Sequence, residues 1–493
     1  MRLLELLNGT RVIGGERNLI KNVEGIFSDS RNAIKNGAFV AIKGEKRDGN
    51  NYIDKVIDQG AIAVITNDYK TFKKYECAVL VENAREALSY MWRNYYNNPT
   101  KNMKVVAITG TNGKTSCAYH LYSILKNAGK SRALISTIET LINDKRLDLG
   151  GGSEVLDISA AMTTPDPEKL FYAFNQMKEA GVEYVVMEAS SHALEQEKLS
   201  SIHIDYAIFT NLSEEHLDFH KNMENYFMAK QRLFLKDTIG IINIDDKYGK
   251  RIKIPNGEGV SCSKNKKSNF YVENLSFLEN GYEYFLCFKD KRVKIKGRLQ
   301  GEHSVYNSLL SASCAISMGI DEKSVIQGIY SLCTVPGRLE KIEGHRIYID
   351  YAHTPMAMEK ILLQLKSKSS CGNLIALFGC GGDRDKSKRP KMAKIASEHA
   401  DLCIITNDNS RTESPIAIIR DILEGMSDEC DYVVIPNREK AIFYGISRMK
   451  SEDTLVLFGK GHEKYEIDKN GMHYFDEREI IRRALDNDKD KKI

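Results

Sequence analysis

Short apolar runs alternate with longer amphipathic stretches along most of the chain. The runs have the composition of buried strands, and the stretches between them have a helical pattern. Alternating strands and helices are typical of α/β proteins with parallel sheets. The apolar runs fall at residues 38–42, 61–65, 105–109, 184–188, 206–210, 240–243, 347–350, 374–378, 402–406 and 455–458.

Two interruptions divide this pattern into three parts. Residues 97–102 are polar and contain Pro99, and Pro336 and Gly337 come shortly before a later apolar run. We therefore predict domains at residues 1–100, 101–335 and 336–493, which suits a chain of 493 residues. Within the second domain, residues 250–296 alternate polar with apolar positions, which predicts a short antiparallel segment of sheet.

The composition changes this picture little. Hydrophobic residues make up 42% of the chain, and 71 basic against 67 acidic residues give a net charge of +4, so charge alone requires no nucleic-acid partner. The ten cysteines are scattered without metal-ligand spacing. No apolar run reaches the ~20 residues that span a bilayer. We expect a cytoplasmic protein without membrane insertion.

The strongest chemical signal is the turn after residues 105–109. It has the pattern Gly110-x-x-Gly113-Lys114-Thr115 and leads into a helical stretch. Backbone N–H groups of such a turn close around phosphate, the lysine neutralises it, and the hydroxyl can hold magnesium. We therefore predict an ATP site. Its residues are Gly110, Thr111, Asn112, Gly113, Lys114 and Thr115.

Polar residues near the ends of the next apolar runs extend this site. Glu188 closes one run, and His216 comes after another. Open α/β sheets place their ligands at such strand ends, so both side chains could join Thr115 around a magnesium ion. Lys230 lies in an amphipathic helical run and, taken by itself, is predicted to be an exposed surface lysine.

Three polar loops come after apolar runs in the last third of the chain, at residues 379–386, 408–411 and 459–463. Their glycines permit close approach of a ligand, and their alternating charges allow paired recognition. We predict that they form one pocket for a zwitterionic small molecule.

The ordered motifs resemble those of the Mur ligases, and within them the UDP-N-acetylmuramyl-tripeptide synthetases, over essentially the full length. The matching segments are residues 28–31, 110–115, 163–165, 188–192, 210–212, 216–218, 336–340, 350–355, 381–385 and 460–463. The resemblance implies a three-domain architecture with a central P-loop-type ATPase domain and a Rossmann-like C-terminal domain. It also implies a ligase of peptidoglycan biosynthesis that uses ATP and Mg²⁺. Such an enzyme joins an amino acid to UDP-N-acetylmuramoyl-L-alanyl-D-glutamate through an acyl phosphate.

The resemblance further implies roles for individual residues. Lys114, Glu188, His216 and Lys230 are the implied catalytic groups. The implied magnesium ligands are Thr115, Glu188, His216 and Lys230, the last modified to a carbamate. Asn307, Arg338 and Asp350 complete the ATP site. The residues implied to bind the UDP-linked substrate are Ser28, Ser30, Thr163, Thr164, Ser190, Gln196 and Lys198. The residues implied to bind the incoming amino acid are Arg384, Asp408, Asn409, Arg411, Gly459 and Glu463.

Two departures from the family pattern concern the substrates. Lys198 replaces an arginine, so the bidentate contact that an arginine can make with the substrate becomes the contact of a single point charge. Ser410 replaces the proline of the Asp-Asn-Pro-Arg motif that marks the meso-diaminopimelate enzymes, but Arg411 is kept and can pair with the distal carboxylate of that amino acid. We therefore expect meso-diaminopimelate to be added, with L-lysine as the alternative.

The sequence also leaves other functions open. A divergent paralogue would join a different amine and acid, and a folylpolyglutamate-synthase-like ligase would share the ATP chemistry but lack a domain like residues 1–100. A non-enzymatic alternative is a nucleotide-gated binding protein. The near-neutral charge disfavours a nucleic-acid motor. We expect a monomer.

Overall fold

The computed structural model of the chain describes residues 1–44, 47–149, 162–234, 237–262, 268–368 and 372–491. The chain forms two compact units. The first comprises Met1–Leu275, Tyr284–Ile295 and Tyr306–Ile329, and the second comprises Ser276–Glu283, Lys296–Val305 and Tyr330–Ile493. The domain boundaries near residues 100 and 335 stay predictions.

Strands and helices alternate through most of both units. The strands are β1 Val12–Gly14, β2 Ile26–Phe27, β3 Ala38–Val40, β4 Ala63–Thr66, β5 Ala78–Val81, β6 Lys104–Thr109, β7 Arg132–Ile135, β8 Thr140–Ile142, β9 Lys145–Arg146, β10 Tyr184–Glu188, β11 Tyr206–Phe209, β12 Ile239–Asn243, β13 Gly257–Ser261, β14 Phe270–Leu278, β15 Gly281–Phe288, β16 Lys291–Gly297, β17 Glu340–Lys341, β18 Ile347–Asp350, β19 Leu374–Phe378, β20 Leu402–Ile405, β21 Asp431–Val434, β22 Thr454–Phe458, β23 Tyr465–Asp468 and β24 Gly471–Tyr474. The helices are α1 Leu3–Leu6, α2 Ile53–Asp58, α3 Tyr69–Lys74, α4 Ala84–Tyr95, α5 Lys114–Asn127, α6 Pro167–Glu179, α7 Ser191–Glu195, α8 Leu217–His220, α9 Met223–Gln231, α10 Glu302–Ser317, α11 Glu322–Ser331, α12 Pro355–Lys368, α13 Lys388–His399, α14 Pro415–Leu423, α15 Arg438–Arg448 and α16 Glu477–Lys491.

A small sheet lies in the N-terminal part of the first unit. Its strand order is β1-β5-β4-β3-β2, and all neighbours pair in parallel except β1 with β5. Every residue of β3, β4 and β5 is buried, as expected for parallel strands that are covered on both faces. The apolar runs predicted at residues 38–42 and 61–65 are thus confirmed as strands.

The larger sheet has the strand order β16-β15-β14-β13-β12-β11-β6-β10-β7-β8-β9. Its central strand β6 is parallel to both neighbours, with Glu188 of β10 opposite Ile108 and Phe209 of β11 opposite Thr109. The carboxyl ends of these three strands therefore meet at one edge. Because β13 pairs in parallel with β12 and β14 in parallel with β13, the antiparallel arrangement predicted for residues 250–296 is wrong for these pairings. It is confirmed for β14, β15 and β16, which are neighbours in the sheet and are joined by two-residue connections that only antiparallel strands permit.

The sheet of the second unit has the order β17-β18-β22-β19-β20-β21, parallel throughout except for β17. Alternate residues of β19 enter two separate cores. Ala376 and Phe378 pack with residues of α12, α13 and α14, whereas Ile375 and Leu377 pack with residues of α15 and α16. Helices therefore cover both faces of a parallel sheet, which is the doubly wound α/β arrangement.

In the part of the chain that the structure describes, no helix is both long enough and apolar enough to cross a bilayer.

Candidate active site

The phosphate-type turn joins the carboxyl end of β6 to the first residue of α5. Gly110 and Gly113 both have positive φ angles, 152° and 85°. A Cβ atom on Gly110 would lie 1.8 Å from the Thr210 hydroxyl oxygen, and one on Gly113 would lie 2.4 Å from Oδ1 of Asn307. Both positions therefore require glycine for conformation and for space.

The neighbouring strand end holds the turn in place. The backbone N–H of Thr111 donates to the carbonyl oxygen of Asn211 at 2.8 Å, and the N–H of Asn112 donates to Oδ1 of Asn211 at 3.1 Å. The Thr210 hydroxyl donates to the carbonyl oxygen of Asn112 at 2.7 Å. The turn is thus shaped by the residues at the end of β11.

Two lysines reach the first carbonyl oxygen of this turn. Nζ of Lys114 donates to the carbonyl oxygen of Gly110 at 3.0 Å and to that of Thr111 at 2.9 Å. Nζ of Lys230 donates to the same Gly110 oxygen at 2.9 Å and lies 4.6 Å from the centre of the Tyr226 ring. This arrangement brings the α9 lysine into the predicted ATP site.

The surface position predicted for Lys230 from its own pattern is wrong, because this residue is only 2% exposed. It lies four residues after Tyr226 on α9, so both side chains share the buried face of that helix. Burial, together with the nearby positive charge of Lys114, lowers the pKa of Lys230 well below its ordinary range, and Glu215 opposes this shift. Burial and the charge of Lys114 thus both disfavour the ammonium form of Lys230.

Glu188 ends β10 as a fully buried carboxylate. Its Oε1 accepts the backbone N–H of Thr137 at 2.8 Å. The Thr137 hydroxyl lies 3.1 Å from Oε2 of Glu188 and 3.0 Å from the Thr163 hydroxyl. The Thr164 hydroxyl donates to the carbonyl oxygen of Glu188 at 2.9 Å and accepts the N–H of Ser190 at 3.1 Å. Glu188, which was predicted to bind metal, thus lies next to Thr163, Thr164 and Ser190, which were predicted to bind substrate.

His216 belongs to a cluster of aromatic rings. It has a positive φ of 56° at the start of α8, and its ring centre lies 4.9 Å from that of His192. His220 stacks on Tyr226 with ring centres 4.8 Å apart and places Nε2 2.9 Å from the hydroxyl of Ser191. His192, His220 and Tyr226, which form this cluster with His216, were not among the predicted site residues. The four-residue spacing of His216 and His220 was a usable signal.

The described residues contain no group of three or more His, Cys, Asp or Glu side chains that could hold a metal ion. Thr115, at the start of α5, and Glu188 are both buried oxygen donors. Magnesium in ATP sites is bound by few protein ligands and completed by phosphate and water. The residues present fit such a site and do not fit an all-protein metal cage.

Asn307 lies on α10 against Gly113 of the turn. Its side chain is 3% exposed, and its Nδ2 has no hydrogen-bond partner among the described residues. A buried amide without a partner is costly, so this group is suited to donate to a bound nucleotide.

Arg338 and Asp350 lie in the second unit. The carboxylate of Asp350 accepts the N–H of Ala352 at 2.6 Å and that of Leu339 at 2.5 Å. Burial raises the pKa of Asp350, against the opposing charge of Arg338. The guanidinium of Arg338 lies 4.8 Å from the centre of the Tyr351 ring.

The remaining residues predicted for the UDP-linked substrate occupy loops and helix ends of the first unit. Ser28 and Ser30 come directly after β2 in the N-terminal sheet, and Gln196 comes after α7. Lys198 is 7% exposed and places Nζ 2.7 Å from Oδ1 of Asp166.

Asn409 connects the loops predicted to bind the amino acid. Nζ of Lys460 donates to Oδ1 of Asn409 at 2.9 Å, and Nδ2 of Asn409 donates to Oε2 of Glu463 at 2.8 Å. The N–H of Ile467 also donates to Oδ1, at 3.0 Å. Lys460 was not among the predicted site residues, although it lies inside the third loop.

Arg411 lies beside the first of these loops. It has a φ of 52°, and its guanidinium donates to the carbonyl oxygen of Gly382 at 2.8 Å. Arg384 lies in the same loop as Gly382, where it donates to the carbonyl oxygen of Asp383 at 3.4 Å. The structure thus brings residues 379–386 and 408–411 together.

A buried carboxylate, Asp408, and a half-buried one, Glu463, give this pocket its electrostatic character. A Cβ on Gly459 would lie 2.3 Å from Oδ2 of Asp408, so the third loop passes directly over that carboxylate. Burial and then the charge of Asp408 raise the pKa of Glu463 to about 7, against Lys460. Burial would also raise the pKa of Asp408, but Lys460 and Arg438 outweigh it and lower that pKa.

Comparison with known proteins defines the class. The model of the Mur ligase middle domain matches residues 108–315, and that of the Mur ligase glutamate ligase domain matches residues 337–461. The chain belongs to the Mur ligase family, which confirms the resemblance, the fold class and an ATP-dependent ligase as the kind of enzyme.

Within this family, the chain is similar over its full length to ligases named for 2,6-diaminopimelate. The chain is 38% identical to UDP-N-acetylmuramoyl-L-alanyl-D-glutamate--2,6-diaminopimelate ligase 1 of Clostridium acetobutylicum, over 98% of each chain. It is 40% identical to the UDP-N-acetylmuramoyl-L-alanyl-D-glutamate--2,6-diaminopimelate ligase of Caldanaerobacter subterraneus subsp. tengcongensis, over 98% of this chain and 99% of that one.

Solved structures agree with this placement. A UDP-N-acetylmuramoyl-L-alanyl-D-glutamate--2,6-diaminopimelate ligase superposes with a TM-score of 0.67 and 27% identity, covering 99% of both chains. A MurF ligase from Thermotoga maritima in complex with ADP has the same fold, with a TM-score of 0.59, 19% identity and coverage of 95% of this chain and 98% of that one. A folylpolyglutamate synthase of Mycobacterium tuberculosis shares the fold over 76% of this chain and 92% of its own, with a TM-score of 0.61 and 18% identity.

Proposed function

We propose that the chain adds meso-diaminopimelate to UDP-N-acetylmuramoyl-L-alanyl-D-glutamate at the expense of ATP, in peptidoglycan biosynthesis. The observation that carries this proposal is the paired approach of Lys114 and Lys230 to the Gly110 carbonyl, at the sheet edge where the adjacent strand β10 ends in the buried Glu188. The full-length similarity to ligases named for this reaction supports the choice of substrates.

The chemistry starts from a carboxylate, which is a poor acyl donor. One oxygen of the substrate carboxylate attacks the γ-phosphorus of ATP, the bond to the β-phosphate oxygen breaks, and an acyl phosphate and ADP are formed. The amine of the incoming amino acid then attacks the acyl carbon and loses a proton, and phosphate leaves. Lys114 and the N–H groups at the end of the turn, beyond those of Thr111 and Asn112 that donate to Asn211, stabilise the charge that develops on the transferring phosphoryl group.

We infer that Thr115, Glu188, His216 and Lys230 hold Mg²⁺. Bound there, the ion would neutralise negative charge on the ATP phosphates. The lowered pKa of Lys230 suits it for modification, since an uncharged amine adds CO₂ and releases a proton to become a carbamate. The carbamate would give this residue the anionic oxygen ligands that a lysine lacks.

The pocket of the second unit is suited to an amino acid with a second carboxylate. Arg384 and Arg411 supply cationic groups for that carboxylate, while Glu463 and Asp408 supply anions for an ammonium group. L-Lysine would leave the cationic side of this pocket without a partner. Two hydrogen bonds hold the loop around Ser410: the backbone N–H of Arg411 donates to the carbonyl oxygen of Ile467 at 3.0 Å, and the Thr412 hydroxyl donates to Asp383 at 2.7 Å.

The UDP-linked substrate would bind along the first unit. Ser28 and Ser30 would contact the uridine nucleotide, and Thr163, Thr164, Ser190, Gln196 and Lys198 would contact the muramoyl peptide. Thr163 and Thr164 lie close to Glu188, near the phosphate turn. This supports the proposed placement, because a muramoyl peptide bound there would have its reacting carboxylate near that turn.

The deciding experiment measures phosphate release with the UDP-linked dipeptide and ATP, in the presence of meso-diaminopimelate, L-lysine or no amino acid. We expect release to require diaminopimelate. Preference for L-lysine would overturn the amino-acid assignment alone, and no release with either would overturn the proposed reaction.

We also propose that the enzyme acts as a monomer in the cytoplasm. Sedimentation at several concentrations tests the first part, and a mass that rises with concentration to that of a dimer would contradict it.

A further inference from the structure

A fully buried arginine lies behind the proposed amino-acid pocket. Arg389 is on the first turn of α13, five residues after Arg384, and its side chain is not exposed at all. Its guanidinium donates to both carboxylate oxygens of Glu413, at 3.0 and 2.9 Å, and to Oδ2 of Asp421 at 2.7 Å. It also donates to the carbonyl oxygen of Gly381 at 3.2 Å.

These contacts connect the two loops that carry the predicted specificity residues. Gly381 belongs to the loop of Arg384, and Glu413 comes two residues after Arg411. Glu413 in turn accepts the N–H of Asp383 at 2.6 Å, so one carboxylate contacts both Arg389 and the first loop. The buried guanidinium therefore joins the two loops both directly and through its carboxylate partner.

The two arginines contact adjacent carbonyl groups of the same loop. Arg389 donates to the oxygen of Gly381, and Arg411 donates to the oxygen of Gly382. The N–H of Gly382 donates to the carbonyl oxygen of Asn409 at 2.9 Å. A shift of this loop would therefore move the Gly382 carbonyl oxygen, to which the guanidinium of Arg411 donates.

We propose that Arg389 is a positioning residue that fixes the geometry of Arg384 and Arg411 and thereby sets selectivity for an amino acid with a second carboxylate. This inference rests on the proposed function. Arg389 does not itself face the substrate, because both terminal nitrogens of its buried guanidinium donate to Glu413, Asp421 and Gly381. Its planar guanidinium contacts two carboxylates and a carbonyl at once, which a lysine ammonium cannot reproduce in the same geometry.

The test compares Arg389→Lys with Arg420→Lys, a conservative change of an exposed arginine on α14. We expect Arg389→Lys to raise the KM for diaminopimelate by about tenfold or more, because small displacements of binding groups are costly. The KM values for ATP and for the UDP-linked dipeptide should change by less than about twofold. The preference for diaminopimelate over L-lysine should fall, and the control should behave like the wild type.

Two results would overturn the proposal. One is unchanged selectivity and KM in Arg389→Lys, and the other is an equal loss in all three KM values together with a lower Tm, which marks a purely structural residue. If Arg389→Lys does not fold, Glu413→Gln removes the charge of the partner and is read by the same criteria.

A second readout does not depend on turnover. Amide hydrogen exchange in residues 381–385 and 408–413 should be faster in Arg389→Lys than in the control, and equal exchange would contradict the positioning role. Wild-type protein in the same series separates the two hypotheses. Wild type that is inactive with diaminopimelate contradicts the proposed function, whereas active wild type beside an unaltered Arg389→Lys contradicts only this inference.

Discussion

Lys114 and Lys230 place their side-chain nitrogens on one acceptor, the carbonyl oxygen of Gly110, at 3.0 and 2.9 Å. Two ammonium groups so close together in a buried site would repel each other. Lys230 is the more buried of the two and has a strongly lowered pKa. Burial and the neighbouring cation both disfavour the ammonium form of Lys230, and this relationship underlies the first prediction.

Replacing Lys230 by alanine should lower kcat by at least about a hundredfold, because the site loses the anionic ligand that the carbamate would provide for Mg²⁺, and with it the charge stabilisation of phosphoryl transfer. The matched control is Lys250→Ala, an exposed lysine, which should keep wild-type activity. In wild-type protein equilibrated with ¹³C-labelled CO₂, a carbamate carbon resonance should appear that Lys230→Ala lacks. An active alanine variant, or the same resonance in both proteins, would contradict the carbamate role.

Glu188→Gln should weaken Mg²⁺ binding while the protein stays folded. Glutamine can still accept the N–H of Thr137 through its oxygen, but it carries no charge for a cation. We expect the Mg²⁺ concentration for half-maximal activity to rise and kcat to fall by about a hundredfold or more. The Tm should change little. A variant with an unaltered Mg²⁺ titration would show that Glu188 is not near the metal.

Binding of the amino acid should depend on pH through Glu463. Its pKa of about 7 means that the carboxyl group is largely protonated below that pH and ionised above it. If the ionised form binds the ammonium group of the ligand, affinity should increase from about pH 6 to about pH 8. Calorimetric titration with diaminopimelate at several pH values measures this. Glu463→Gln should bind more weakly and lose the pH dependence, and a variant that retains it would refute the assignment.

His120 should limit stability at acidic pH. It is fully buried on α5, neither ring nitrogen has a hydrogen-bond partner among the described residues, and burial lowers its pKa to about 3. The unfolded chain takes up a proton near pH 6.5, whereas the folded protein does so only near pH 3. The folded state is therefore penalised progressively as the pH falls below 6.5.

The corresponding test is His120→Leu, which removes the unpaired polar group. We expect a stabilisation of about 1 kcal/mol near neutral pH, and a larger gain near pH 5. The control His203→Leu changes a histidine whose side chain is 70% exposed. Chemical denaturation at both pH values gives the free energies of unfolding, and a His120→Leu variant with the same loss toward acid as the wild type would contradict the account.

Sequence reasoning was strongest where the position of a strand determines the position of the residues after it. The runs at residues 105–109, 184–188 and 206–210 are strands, and parallel pairing in register brings the ends of β6, β10 and β11 to one edge. The position of Glu188 near the phosphate turn results from this geometry. The loops after β19, β20 and β22 adjoin for the same reason.

Features that depend on packing between distant elements were not accessible in the same way. Lys230 looks like a surface residue because its own helix does not reveal that Tyr226 and the Gly110 carbonyl lie on its inner side. Arg389 resembles the neighbouring basic residues of α13, and only the fold shows its contacts with Glu413 and Asp421. The parallel addition of β13 and β14 was missed because polar alternation describes burial and not strand direction.

The most direct test of the central claim traces oxygen from substrate to phosphate. The UDP-linked dipeptide is labelled with ¹⁸O in the reacting carboxylate, and the phosphate released during ligation to diaminopimelate is examined by mass spectrometry. An acyl phosphate pathway requires each phosphate to carry one oxygen from that carboxylate, so the account predicts labelled phosphate in step with tripeptide formation. Tripeptide formed together with unlabelled phosphate would contradict it.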